Sequence, residues 1–145
     1  MLPLVVASRR SKSLNQSLAG AEDLVRRGLV KFLDAPDDGT LVSLARDAAA
    51  LVHPSRYEGF GMPVIEAMSV GLPVLAADCA AVREVGGGLV HLLPVGDVDQ
   101  LAAAIRAQSA VAPRDDHRAA DRIARGRSFT WDRAAAAIVA ATRNL

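Results

Sequence analysis

Excess charge, cysteine, aromatic side chains and long apolar runs are all scarce in this 145-residue sequence, and each scarcity removes a class of protein. The 17 basic residues are nearly balanced by 16 acidic ones, giving a formal net charge of +1. Without surplus cations to neutralise successive phosphates, a generic nucleic-acid binder is disfavoured. The single cysteine, Cys79, can close no internal disulfide and build no cysteine-based metal cage. No run is long enough to span a bilayer as a helix, and the longest apolar stretches, such as Leu72–Ala77, suit buried strands. The apolar start Met1–Val6 has no basic segment before it and no long apolar core, so it does not read as a signal peptide. Aromatics are 3% of residues while hydrophobic residues reach 51%, so the interior must be aliphatic and alanine-rich. That apolar share at low net charge argues against disorder. The length allows one domain with its own core and is short for a two-domain enzyme.

What the sequence does contain is alternation. Short apolar runs near Leu4–Ser8, Val30–Leu33, Ala50–Pro54, Pro73–Ala77 and Leu89–Leu92 are bounded by Gly, Pro, Ser and Asp, as buried parallel strands are. Helical segments are expected between them, near Asn15–Arg26, Gly39–Ala49, Pro63–Val70, Ala80–Glu84 and Val98–Gln108. Two more helices follow near Arg114–Gly126 and Thr130–Arg143. The order predicts an α/β domain spanning 1–145: a Rossmann-like, mostly parallel sheet with helices on both faces. Ligands of such sheets sit outside the carboxyl ends of the strands, here at loops 8–14, 34–38, 55–62, 78–80 and 93–97.

One of these loops carries a pattern with chemical content, Pro54-Ser55-Arg56-Tyr57-Glu58-Gly59-Phe60-Gly61-Met62-Pro63-Val64-Ile65-Glu66-Ala67-Met68. Gly59 and Gly61 let the backbone approach a ligand closely. Pro63 suits the first helical position, where its missing N–H costs nothing. The free N–H groups of that helix start face the strand-end crevice and attract a diphosphate. Carboxylates repel phosphate, so Glu58 and Glu66 beside such a terminus point to hydroxyl groups as their partners, a sugar and a ribose on either side of a diphosphate. Taken singly these features are ordinary: a glutamate in an early helical turn complements the dipole, and Gly-x-Gly before a helix is common.

Together they resemble the donor-binding, C-terminal half of the GT-B glycosyltransferases, above all the retaining family 4 (glycosyl transferases group 1). That family carries two glutamates with seven residues between them, as Glu58 and Glu66 have. Gly71–Asp78, Val82-Arg83-Glu84-Val85, Val95–Ala102 and Phe129-Thr130-Trp131 are similar to its following segments, with Arg83 in place of the usual proline. The resemblance implies a retaining hexosyltransferase that moves a sugar from a nucleotide diphosphate sugar to an alcohol, with no cofactor and no metal. Glu66 would bind the ribose hydroxyls. Glu58, the candidate catalytic residue, would orient the donor sugar. The amides of Gly59, Phe60, Gly61 and Met62, with Pro63 beside them, would contact sugar and phosphates. Leu33, Asp34 and Ala35 would line the base pocket, mainly through backbone, although Leu33 serves equally as simple core.

Arg9 and Lys12 could reach the diphosphate or stand in a solvated loop. His53 and His91 are expected as satisfied interior histidines, His117 as solvated and Cys79 as a small buried residue. In the family the strand at Leu4–Ser8 is the second, and a first strand with a Gly-Arg loop and a lysine lies between it and the strand at Ala50–Pro54. That strand and the acceptor-binding N-terminal domain are not readable here. The isolated chain is therefore expected to be inactive, with the missing domain or a second chain as partner, or a homo-oligomer covering the open sheet. The alternative reading is a non-catalytic nucleotide-sugar-binding fragment or one half of a split enzyme. The expected location is cytoplasmic, with peripheral attachment at the inner membrane face left open.

Overall fold

The computed structural model describes residues 2–9, 20–111 and 116–143. It divides into two compact units, residues 1–44 and 45–145. In the first unit β1 (Leu4–Ser8) lies parallel to β2 (Val30–Asp34), in register from Leu4 opposite Val30 to Ser8 opposite Asp34. The ladder continues past both ends: Leu4 N–H donates to Leu29 at 2.9 Å, and Ala35 N–H donates to Ser8 at 3.1 Å. A short helix α1 (Glu22–Arg26) precedes β2. Its five residues are too few to be stable by propensity alone. The exposed Asp23–Arg26 and Asp23–Arg27 pairs add little. The predicted helix from Asn15 lies outside the described residues up to Ala19. Helix α2 (Asp38–Asp47) follows, and the division between the units falls inside it.

The second unit is built on β3 (Leu51–His53), β4 (Val74–Ala77) and β5 (His91–Leu93), parallel in the order β3-β4-β5. Helices α3 (Met62–Ser69), α4 (Ala80–Gly86), α5 (Val98–Ser109), α6 (Ala119–Arg127) and α7 (Trp131–Thr142) complete it. The central strand β4 is buried along its whole length, and its alternating side chains feed two cores. Val74 and Ala76 join Val64, Ile65, Ala67, Met68, Val82 and Val85 from α3 and α4. Leu75 points the other way and packs with Leu93 and Ala104, flanked by Leu101 and Ile105 of α5. Helices thus cover both faces of this sheet, as the apolar run Pro73–Ala77 predicts.

Two local rules set the helix ends that matter here. Asp97 caps α5, its carboxylate accepting from the Gln100 N–H at 2.9 Å. Thr130 caps α7 in the same way, accepting from Arg133 N–H at 3.3 Å. Helix α6 packs onto α3 so closely that Gly126 admits no side chain; an added Cβ would lie 2.5 Å from the Ser69 nitrogen. The buried Arg122 fastens the same helix, donating from Nε to Gly71 O at 2.9 Å and pairing through Nη2 with Asp116.

The strands ladder as two groups, β1–β2 and β3–β4–β5, and the unpaired edges of β1 and β3 are those that the strand not readable in the sequence would fill. A sheet continues only through laddered neighbours, and among the described residues no strand bonds the second edge of β1 or of β3. One expectation is corrected: His91 is not interior. It opens the edge strand β5, which has a partner on one side only, and is exposed.

Candidate functional site

The loop between β3 and α3 begins where β3 ends at His53 and returns at once. Ser55 Oγ donates to the Tyr57 carbonyl at 2.9 Å, closing a turn two residues long. The turn brings Glu58 back onto the strand end, where its Oε1 lies 2.9 Å from His53 Nε2. Both side chains are largely shielded, 15% exposed for His53 and 21% for Glu58. An ionised carboxylate has only acceptors, so Nε2 carries the proton and donates. His53 is bonded, as an interior histidine must be, but its partner is the carboxylate singled out in the sequence. The clue in the sequence was its place near the end of the strand expected at Ala50–Pro54, which feeds the loop.

Gly61 opens α3 with φ +91°, a left-handed conformation that a side chain would strain. It is buried against Val85, and it offers no side chain to cap the helix. Met62 is the first helical residue, so Pro63 holds the second position rather than the first. Pro63 has no N–H and Val64 N–H donates to Gly61 O at 3.0 Å, so among the described residues the helix start keeps two unclaimed donors, the N–H groups of Gly61 and Met62. Helix α3 buries Val64, Ile65, Ala67 and Met68 and leaves Met62, Pro63 and Glu66 on its open side. Glu66 thus stands one turn after Met62 on the exposed face.

Phe60 is held from the side. Its ring meets Phe129 edge to face at 6.0 Å, and the Arg125 guanidinium lies 4.9 Å from the Phe129 centroid. Arg125 in turn donates to the carbonyls of Val85 and Glu84 at 3.0 and 2.7 Å. Phe129 and Arg125 thus brace the glycine loop from α6 and the turn after it. Neither was a predicted site residue, because their link to Phe60 is tertiary. Beyond β4, Arg83 donates from Nη2 to Asp78 Oδ2 at 2.6 Å. Its Nε lies 2.5 Å from Oδ1, too poorly directed for a second hydrogen bond. The Arg83 hydrogen bond holds the Asp78 carboxyl below the ordinary carboxylate range. A crevice of about 230 Å³ lies outside the ends of β3, β4 and β5, with Pro54, Arg56, Ala77 and Gly96 among its walls.

The remaining predicted residues belong to the first unit. Leu33 is half-buried in β2, and Asp34 ends that strand. Ala35 has φ +45°, a left-handed conformation rare for a residue with a side chain. Arg9 follows β1 and is exposed; Lys12 lies outside the described residues. Cys79 is half-buried at the N-cap of α4, and His117 is exposed as expected. Among the described residues no cluster of three His, Cys, Asp or Glu could hold a metal, and no helix is long and apolar enough to cross a membrane.

The pattern around Glu58 and Glu66 lies within residues 2–109, which match the family described as glycosyl transferases group 1. The chain belongs to this family. It is 30% identical over 130 residues to the O-antigen chain mannosyltransferase B of Escherichia coli, covering 90% of this chain and 34% of that protein. It is 36% identical over 109 residues to the MMP alpha-(1->4)-mannosyltransferase of Mycolicibacterium hassiacum, covering 71% of this chain and 26% of that protein. Among solved structures, sucrose-phosphate synthase from Thermosynechococcus elongatus superposes with a TM-score of 0.76 at 26% identity, over 99% of this chain and 38% of that one. The lipopolysaccharide-biosynthesis glycosyltransferase WaaG superposes with a TM-score of 0.70 at 23% identity, over 88% of this chain and 34% of that one. The group 1 domain thus has the α/β fold of GT-B glycosyltransferases. It spans about a third or less of the length of the curated relatives it matches.

Proposed function

We propose that this group 1 domain is the C-terminal, donor-binding part of a family 4 retaining glycosyltransferase and takes a nucleotide diphosphate sugar. The observation that carries the reading is the pairing of an uncapped helix start at Gly61 with two differently placed carboxylates, a shielded Glu58 and an open Glu66. The N–H groups and partial positive charge of the α3 terminus receive the diphosphate. Glu66 accepts hydrogen bonds from the ribose hydroxyls, and Glu58 accepts one from the sugar. As the glycosidic bond to the diphosphate breaks, negative charge grows on the leaving oxygen and positive charge on the anomeric carbon. Oriented donors at the helix start stabilise the first without reorganising, and an anchored sugar keeps the second in line with the acceptor. The acceptor alcohol is bound by a domain outside these 145 residues. The mannosyltransferase names of its relatives support a mannosyl donor.

Calorimetry of the chain with GDP-mannose, UDP-glucose and ADP-glucose tests the reading. One of them binds, and Glu66→Ala weakens it by about 10-fold, the scale of one or two lost hydrogen bonds to a charged group. Unchanged affinity in Glu66→Ala overturns the ribose assignment. A second reading, a domain that binds donor and catalyses nothing by itself, is favoured by the chain's spanning about a third of its E. coli relative. Transfer of sugar by the purified chain alone would exclude it.

A further inference from the structure

We infer that His53 is a positioning residue for the donor sugar, acting by locking the Glu58 carboxylate. The inference rests on the donor-binding reading of this site. Glu58 stands in a loop whose neighbours Tyr57, Gly59 and Phe60 are all exposed, Tyr57 by 86%. A glutamate there would ordinarily sample many rotamers, and each must be surrendered when a sugar hydroxyl is held. Among the described residues the only hydrogen-bond partner of its side chain is His53. His53 is the last residue of β3 and is held in the ladder opposite Ala76, so its ring is carried by the sheet and not by the loop. Its Nε2 takes Oε1 and leaves Oε2 to accept from the ligand. The result is a carboxylate aimed before the ligand arrives, with one oxygen committed and one presented.

The nucleotide diphosphate alone contains no donor sugar, so it separates this role from a structural one. The full chain is titrated with GDP-mannose and GDP, and with UDP-glucose and UDP. For the donor that binds, His53→Leu lowers affinity for the nucleotide sugar by about 10-fold and leaves affinity for the bare nucleotide within about twofold. Glu58→Gln lowers the same increment, and the double variant loses no more than the larger single loss. His53→Gln keeps the increment, because its amide N–H replaces Nε2. His53→Asn loses it, because its amide reaches only the Nδ1 position. These two variants keep the test open should His53→Leu not fold.

An unchanged or tighter nucleotide-sugar affinity in His53→Leu overturns the inference, the tighter result meaning that His53 competes with the sugar. Equal weakening of sugar nucleotide and bare nucleotide overturns it too, as does identical behaviour of Gln and Asn. If the wild-type chain binds neither nucleotide nor nucleotide sugar, the donor-binding reading falls first and this role falls with it.

Discussion

The two units of this chain are made from similar sequence and packed very differently. Strand β1 reads Leu-Val-Val-Ala-Ser and β4 reads Val-Leu-Ala-Ala, both apolar runs of the kind found in buried parallel strands. Every residue of β4 is buried, whereas Leu4 is 48% and Val5 37% exposed. Among the described residues Val30 is the one buried side chain of the first unit; the rest of the buried core belongs to the second. The difference lies in what each strand has beside it. β4 has a laddered strand on each edge and a helix layer on each face. Among the described residues β1 ladders with one strand only, β2. An apolar run states that a strand should be buried; it contains no information on whether its cover is present. The candidate site shows the same contrast. Its glycine loop is seated on the well-packed unit and braced through Phe60, Phe129 and Arg125.

The comparison can be broken by substitution. The largest effect is expected at Gly126. Alanine there gains up to about 1 kcal/mol of helix propensity, but its Cβ would strike backbone at Ser69 and Met68, at 2.5 and 2.8 Å. Backbone cannot swing aside as a side chain can, so Gly126→Ala should lose about 3 kcal/mol net, read as a lowered urea midpoint. A stable Gly126→Ala protein would mean that α3 and α6 are not so closely seated.

Next comes a matched pair of truncations. Met68 is fully buried, so Met68→Ala should cost about 3 kcal/mol, whereas Leu4→Ala in the exposed strand should cost about 0.5 kcal/mol. Equal losses in urea unfolding would show that the first unit has a core of its own and would end the contrast. The smallest effect belongs to the Asp78–Arg83 pair. The folded carboxyl titrates below its ordinary value, so its contribution is present above the usual carboxylate range and disappears as pH falls through the folded pKa. Asp78→Asn should therefore lower the melting temperature slightly near neutral pH, less so in high salt, and match the wild type in acid. A difference that grows on acidification would reverse the sign and discard the pair as its cause.

Much of the second unit was legible beforehand because its rules are local. Apolar runs bounded by turn residues located all five strands to within two residues, and the helices expected from Val98 and from Thr130 begin at Val98 and Trp131. The alternation along β4 follows from a strand's period of two. Pro63 came within one position of its place, since proline is tolerated across the first helical turn and does not choose between adjacent sites there. His91 was misjudged because a strand's burial depends on what lies beside it in the sheet.

By itself the sequence determined the elements, the glycine conformation at the start of α3 and the spacing that puts Glu58 in a loop and Glu66 on a helix. It also carried the family likeness, because those signals are written in residues a few positions apart. Only the tertiary structure decided that Glu58 returns to His53, that Phe60 leans on Phe129, that Gly126 must be bare, and which apolar strands are covered. Each of those depends on chain segments meeting across a packed interior, where distance along the sequence sets no geometry.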